Sequence, residues 1–181
     1  MSEKQKNRRL SYQKLSENGR WFADTPLAKL KLGNSKLTTL AIEKGSLTAA
    51  LVGLSSGEFE VNVLRQSVGI PHWHEQIKLK RGFSQAAYIR EVELLIHGQA
   101  VVYARTIMPH TRVGDRLKGL GKTPLGHLLF KDGRIRVSKR EFALIDDDIH
   151  CIKARRTPYD YQGETILVSE FFLPKLLDYL S

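Results

Sequence analysis

AYIREVELLIHGQAVVYARTIM, residues 87–108, is the stretch from which the fold follows. Two apolar runs, 87–96 and 100–108, are separated by little more than His97-Gly98, and strands joined by so short a turn must run antiparallel. In the first run Tyr88, Arg90, Val92, Leu94 and Ile96 share one side, whereas Glu91, Glu93 and His97 share the other. The even side is therefore expected to face inward, and it carries Arg90 with it. In the second run Arg105 alternates with Val101, Tyr103 and Ile107, which puts a second cation on an apolar strand face.

Working outward, Phe59, Val61 and Val63 alternate with Glu60, Asn62 and Leu64, the period of another strand. Strands are also expected at 77–79 and 165–173. Short helices are expected at 26–31, 35–42 and 47–52, the last with Ser46 as N-cap. Thr123-Pro124 opens a further helix to 130, with Thr123 as N-cap and Pro124 at the first helical position. Asp132-Gly133 turns the chain into 134–144, and Pro174 ends the last strand. Hairpin-linked strands with helices gathered at the ends make an antiparallel α+β domain, not a doubly wound one.

The 181 residues suffice for one domain with its own core. Hydrophobic residues at 41% and charged residues at 27% exclude disordered and collagen-like chains. The longest apolar region, 94–108, is broken by His97, Gly98, Gln99 and Arg105, so no stable membrane insertion is expected. MSEKQKNRRLSYQK lacks the apolar core of a secretory signal, and the lone Cys151 cannot form an intramolecular disulfide. Both points suit a cytoplasmic location.

The net charge is +10. Within 1–20, Lys4, Lys6, Arg8, Arg9, Lys14 and Arg20 oppose only Glu3 and Glu17, so this polar start supplies +4. Residues 1–24 lack a hydrophobic period and read as a basic, flexible or loosely docked leader before a domain at 25–181. A basic body attracts anions of any kind. Zinc-ligand pairs, RNP-type aromatics and a helix-turn-helix are all missing, so no nucleic acid is expected as partner.

In the last strand Ile166, Val168, Glu170 and Phe172 share one face, while Leu167, Ser169, Phe171 and Leu173 are also fairly apolar. Glu170 therefore has limited water on either side. An unpartnered buried ion costs several kcal/mol or more, so such residues must be paired. The plainer account is that Arg90 or Arg105 pairs with Glu170 inside the sheet. That leaves two arginines against one carboxylate, a surplus that an anionic ligand would settle.

Other motifs carry less. Gly121-Lys122-Thr123 resembles a phosphate loop, but Arg116 stands where the first Gly must be. The same segment reads better as a capped helix start whose Leu125 amide can point at an anion, or simply as a tight loop. His72 and His74 have no third metal ligand, and Asp146-Asp147-Asp148 lacks calcium-loop spacing. Cys151 reads as an inert thiol.

Taken together, YIREVELLIHGQAVVYARTIMP (88–109), LGKTPLGHLLF (120–130), ARRT (154–157) and SEFFLP (169–174) resemble the bacterial chorismate lyase family. GSLTAAL (45–51) and FEVNVL (59–64) are similar to its N-terminal half, so the likeness covers roughly residues 35–174. His127 departs from the arginine often found there. The resemblance implies a six-stranded antiparallel sheet with helical flaps over an internal ligand cavity, acting as a monomer without metal or organic cofactor. It implies conversion of chorismate to 4-hydroxybenzoate and pyruvate on the route to ubiquinone.

Carried over residue by residue, the likeness gives Arg90 the substrate carboxylate. It makes the Leu125 amide a second donor, sets Glu170 against the ring hydroxyl and gives Leu47 a main-chain contact from the flap. Arg105 lies near the site by the same likeness and is assigned the enolpyruvyl carboxylate. The rival expectation is a non-catalytic small-acid-binding module, as in effector domains of bacterial transcription regulators. Those domains normally follow a DNA-binding domain, for which 24 residues are too few, so the enzyme is favoured. A 3-hydroxybenzoate product remains open.

Overall fold

The computed structural model describes residues 3–23, 35–43, 45–80, 82, 84–111, 115, 119–123, 125, 135–147 and 150–180. In chain order the helices are α1 (Glu3–Asn18), α2 (Ser35–Ile42), α3 (Leu47–Leu54) and α4 (Trp73–Lys78), with a closing 3-10 helix at Pro174–Tyr179. The strands are β1 (Phe22–Ala23), β2 (Phe59–Gly69), β3 (Ala87–Ile96), β4 (Gln99–Met108), β5 (Ile135–Val137), β6 (Glu141–Asp147), β7 (His150–Tyr161) and β8 (Glu164–Phe172). One antiparallel sheet runs β1-β6-β7-β8-β4-β3-β2, and β5 also pairs with β7. Among the described residues the sheet has eight strands, not the expected six, because two short strands join the six long ones.

The β3–β4 turn forms as its residues require. His97 and Gly98 have φ of 48° and 71°, the positive pair that a two-residue hairpin turn needs. At α3, Ser46 caps the helix by accepting the Ala49 N–H at 3.3 Å. The strand expected at 77–79 is instead the end of α4 and the turn after it. The His72 amide donates to the Glu75 carboxylate at 2.8 Å and satisfies the helix start. Three residues carried too little period to separate the two outcomes.

Both faces of the sheet are covered, so both sides of β3 are buried. This corrects the expectation that the Glu91 and Glu93 side meets water. On one face α2, α3 and the 3-10 helix pack Leu37, Leu40, Leu47, Leu51 and Leu176 against Val92, Leu94 and Phe172. Burying a side chain such as Leu51 contributes roughly 1.5–3 kcal/mol. On the other face Tyr12 and Leu15 of α1 pack near Tyr103, Ile152 and Phe171. Residues 3–18, within the stretch read as a leader, are thus a helix with a buried apolar edge.

Candidate functional site

The pairing register sorts the charges by face, since direct cross-strand partners lie on the same side of a sheet. Arg90 pairs in register with Gln66 on β2 and Thr106 on β4. Thr106 is opposite Val168 on β8, and Val168 is opposite Thr157 on β7. One residue pair further along, Ala104, Glu170 and Arg155 form the parallel row. The face bearing Arg90 therefore also bears Glu170 and Arg155. A bulge between Val63 and Arg65 inserts one residue in β2, so Gln66, not Arg65, stands beside Arg90.

Arg90 is 2% exposed. Its Nη1 donates to the Gly121 carbonyl at 2.8 Å and to Gln66 Oε1 at 3.2 Å, and its Nη2 donates to the Thr123 carbonyl at 3.0 Å. Among the described residues no carboxylate pairs with it. Burial accordingly lowers its pKa below the usual guanidinium value. Arg90 thus ties the 119–123 loop to β3 and keeps an uncompensated charge there. Gly121 has a φ of +48°, which lets its carbonyl reach the guanidinium. Leu125 is buried among Tyr88, Met108, Leu120 and Ile166. The helix expected from Thr123 to 130 lies mostly outside the described residues.

Glu170 pairs with neither Arg90 nor Arg105. Its Oε2 accepts from Arg155 Nε at 2.5 Å. Arg155 Nη1 reaches the carbonyls of Leu40 and Ala41, each at 3.1 Å, and of Glu43 at 3.3 Å. Arg140 approaches from the start of β6. Its Nε donates to Thr157 Oγ1 at 3.2 Å, and its Nη1 donates to the carbonyls of Ile42 at 3.1 Å and of Glu43. Both arginines gather the carbonyls that α2 leaves open at its C-terminus, where cations are favoured. Leu47 opens α3 just beyond and is buried in the same core.

Arg105 lies elsewhere. It pairs in register with Glu91, on the face opposite Arg90 and Glu170. Its Nε and Nη2 grip the Glu75 carboxylate at 2.8 and 3.0 Å, and its Nη1 donates to Glu91 at 2.5 Å. Burial opposes the Arg105 charge, but Glu75 outweighs it, and the pKa rises. Around this pair Arg9 binds Glu91 at 3.1 Å, while Tyr12 and Asn62 donate to Glu93 at 3.0 and 2.8 Å. The geometry does not bring Arg105 to the Arg90 face; two carboxylates already saturate it.

Sequence reasoning missed Arg155 and Arg140. The ARRT motif held Arg155, but only the β7–β8 register shows it facing Glu170. The rejected candidates stay apart from this face. His72 and His74 flank Ser16 of α1, and no group of three metal-ligating side chains occurs among the described residues. Cys151 is exposed, and burial followed by the Asp146 carboxylate pushes its thiol pKa up, away from a nucleophile's needs. No helix among the described residues is long and apolar enough to cross a membrane.

Residues 16–180 match the family model described as chorismate lyase. The probable chorismate pyruvate-lyase of Methylococcus capsulatus is 35% identical over 150 residues, which span 75% of this chain and 93% of that protein. The one from Shewanella amazonensis is 33% identical over 177 residues, 88% of this chain and 90% of the relative. Among solved structures, the effector domain of PhnF from Mycobacterium smegmatis aligns with a TM-score of 0.52 at 15% identity, covering 74% of this chain and 91% of that one. That last likeness is one of fold alone. With a family model matched along nearly its whole length and relatives matched over most of theirs, the chain belongs to the chorismate lyase family.

Proposed function

We propose that this protein is a chorismate lyase, eliminating pyruvate from chorismate and releasing 4-hydroxybenzoate for ubiquinone synthesis in the cytoplasm. The observation that carries the reading is Arg90, a buried guanidinium held by carbonyls and an amide oxygen, with no carboxylate to balance it among the described residues. Such a group needs an anion, and a planar ring carboxylate matches its two-pronged geometry. The chemistry is assigned to 25–181, and α1 is given the supporting job of covering the second sheet face. The domain works as a monomer.

In this reading Arg90 and the Leu125 amide hold the ring carboxylate, Glu170 accepts the C4 hydroxyl hydrogen bond, and the Leu47 main chain closes the flap side. The C4–H and C3–O bonds break, the ring becomes aromatic, and the enolpyruvyl methylene takes up the proton as pyruvate leaves. Aromatisation supplies much of the driving force. The protein's share is to fix the conformer and to stabilise charge on the departing group.

The fold likeness to regulator effector domains favours one rival, a module that binds small acids without altering them. Incubation with chorismate followed by chromatography separates the two. Equimolar 4-hydroxybenzoate and pyruvate support the lyase, 3-hydroxybenzoate corrects the product, and unchanged chorismate supports the rival.

A further inference from the structure

We propose that Arg140 is the second carboxylate-binding group of the site, holding the enolpyruvyl carboxylate of the substrate and so separating substrate from product. This rests on the lyase reading above. The observation behind it is one hydrogen-bond donor. Arg140 is 9% exposed, and its Nη2 is buried without a hydrogen-bond partner, although the other two guanidinium nitrogens are engaged. A buried donor left unmade is rare and costly, so it calls for a reason.

Topology shows where that guanidinium lies. Arg90, Thr106, Val168 and Thr157 form one row across β3, β4, β8 and β7, and Arg140 reaches the end of that row through Thr157. Three strand spacings of about 4.8 Å put the β3 and β7 backbones roughly 14 Å apart. Two arginines thus close a row whose middle consists of short side chains, with Glu170 one step aside. A monocarboxylate needs one end of such a row. A dianion, with one carboxylate on the ring and another on an ether arm, needs both.

The charge balance agrees. Among the described residues, the row and its neighbours hold Arg90, Arg140 and Arg155, while Glu170 is taken by Arg155, whose charge Glu43 also supports. Burial, then the nearby Arg155 charge, lowers the Arg140 pKa, while Tyr159 and the Glu170 carboxylate pull it the other way. Capping the α2 carbonyls explains Nη1 but not Nη2.

The test compares substrate with product. The chorismate KM and the 4-hydroxybenzoate Kd are measured for the wild type, Arg140→Gln and Arg140→Lys. Arg140→Gln should raise the chorismate KM at least tenfold and change the 4-hydroxybenzoate Kd less than threefold, with Arg140→Lys recovering part of the loss. A purely structural cap would weaken both ligands alike or neither, and either result overturns the inference while leaving the lyase reading intact. Should the variants fail to fold, the wild type still decides. 3-(Carboxymethoxy)benzoate should bind at least tenfold tighter than benzoate, and equal binding overturns the proposal. Wild-type protein that leaves chorismate untouched overturns the reading and the inference together.

Discussion

Arg155 and Glu170 are register partners on β7 and β8, and the guanidinium Nε donates to the carboxylate at 2.5 Å. The pair links two central strands to the end of α2 through Leu40, Ala41 and Glu43. Burial opposes the Arg155 charge and Glu170 restores it, so the Arg155 pKa rises. Removing one partner leaves the other charge with little water. Arg155→Met should therefore lower stability by about 3–5 kcal/mol. A double-mutant cycle with Glu170→Gln, read by urea denaturation, should return a coupling of about 0.5–3 kcal/mol. Strict additivity would mean that the pair does not form in solution.

Arg90 makes a different prediction, because its partners are neutral. Arg90→Ala should abolish lyase turnover while the protein stays folded. It should also free the carbonyls of Gly121 and Thr123, so hydrogen exchange at 119–123 accelerates while β3 amides stay protected. Arg90→Lys offers a point charge instead of a fork and should leave turnover well below wild type. Full activity in the alanine variant would remove Arg90 from the site.

The hairpin at 87–108 was legible because a two-residue turn and strict alternation admit one outcome, and the register of Arg90 follows from it. β7 was not legible. Arg155, Arg156 and Pro158 break any apolar alternation, and proline argues against a central strand. Pro158 is tolerated because β7 changes partner there, from β6 at Glu141 to β5 at Val137, and the Pro158 carbonyl accepts from Ser138 on that side. Missing β7 meant missing Arg155 opposite Glu170. The same blindness affected α1, whose hold on the sheet is largely polar: Arg9 and Tyr12 reach Glu91 and Glu93, carboxylates that looked solvent-facing from alternation alone.

That second face should behave as a stability element separate from the chemistry. Arg105 is 1% exposed and bound to two carboxylates. Arg105→Met leaves Glu75 and Glu91 buried without their shared cation and should cost about 3–5 kcal/mol. The folded fraction should keep a kcat within about threefold of wild type, checked by active-site titration at low temperature. A kcat lost from fully folded protein would return Arg105 to the catalytic side.

Acid should act on this face first. Burial lowers the pKa of both His72 and His74, with Arg105 the next cause at His72. His74 Nδ1 accepts from Arg156 at 3.0 Å and its Nε2 donates to the Ser16 carbonyl at 2.8 Å, so a second proton has no place. An unfolded histidine protonates near pH 6.5, so below about that value the unfolded chain binds protons that the fold refuses. Stability is therefore in place above pH 6.5 and falls as pH drops toward the folded values. At Glu75 burial raises the pKa, but Arg105 outweighs it and the net shift is downward. Its contribution stands above the usual carboxylate range and is lost at still lower pH. Melting temperature should hold from pH 8 to 7 and decline below about 6.5, and a His72→Gln/His74→Gln variant should flatten that first decline. An unchanged decline would place the sensitivity elsewhere.

The most direct measurement is a crystal structure of the protein with 4-hydroxybenzoate. The account predicts the ligand carboxylate on Arg90 and the Leu125 amide, with its hydroxyl within hydrogen-bond distance of Glu170. A ligand seated away from the Arg90 face, with Glu170 still held by Arg155 alone and Arg90 by Gly121 and Thr123, would contradict it.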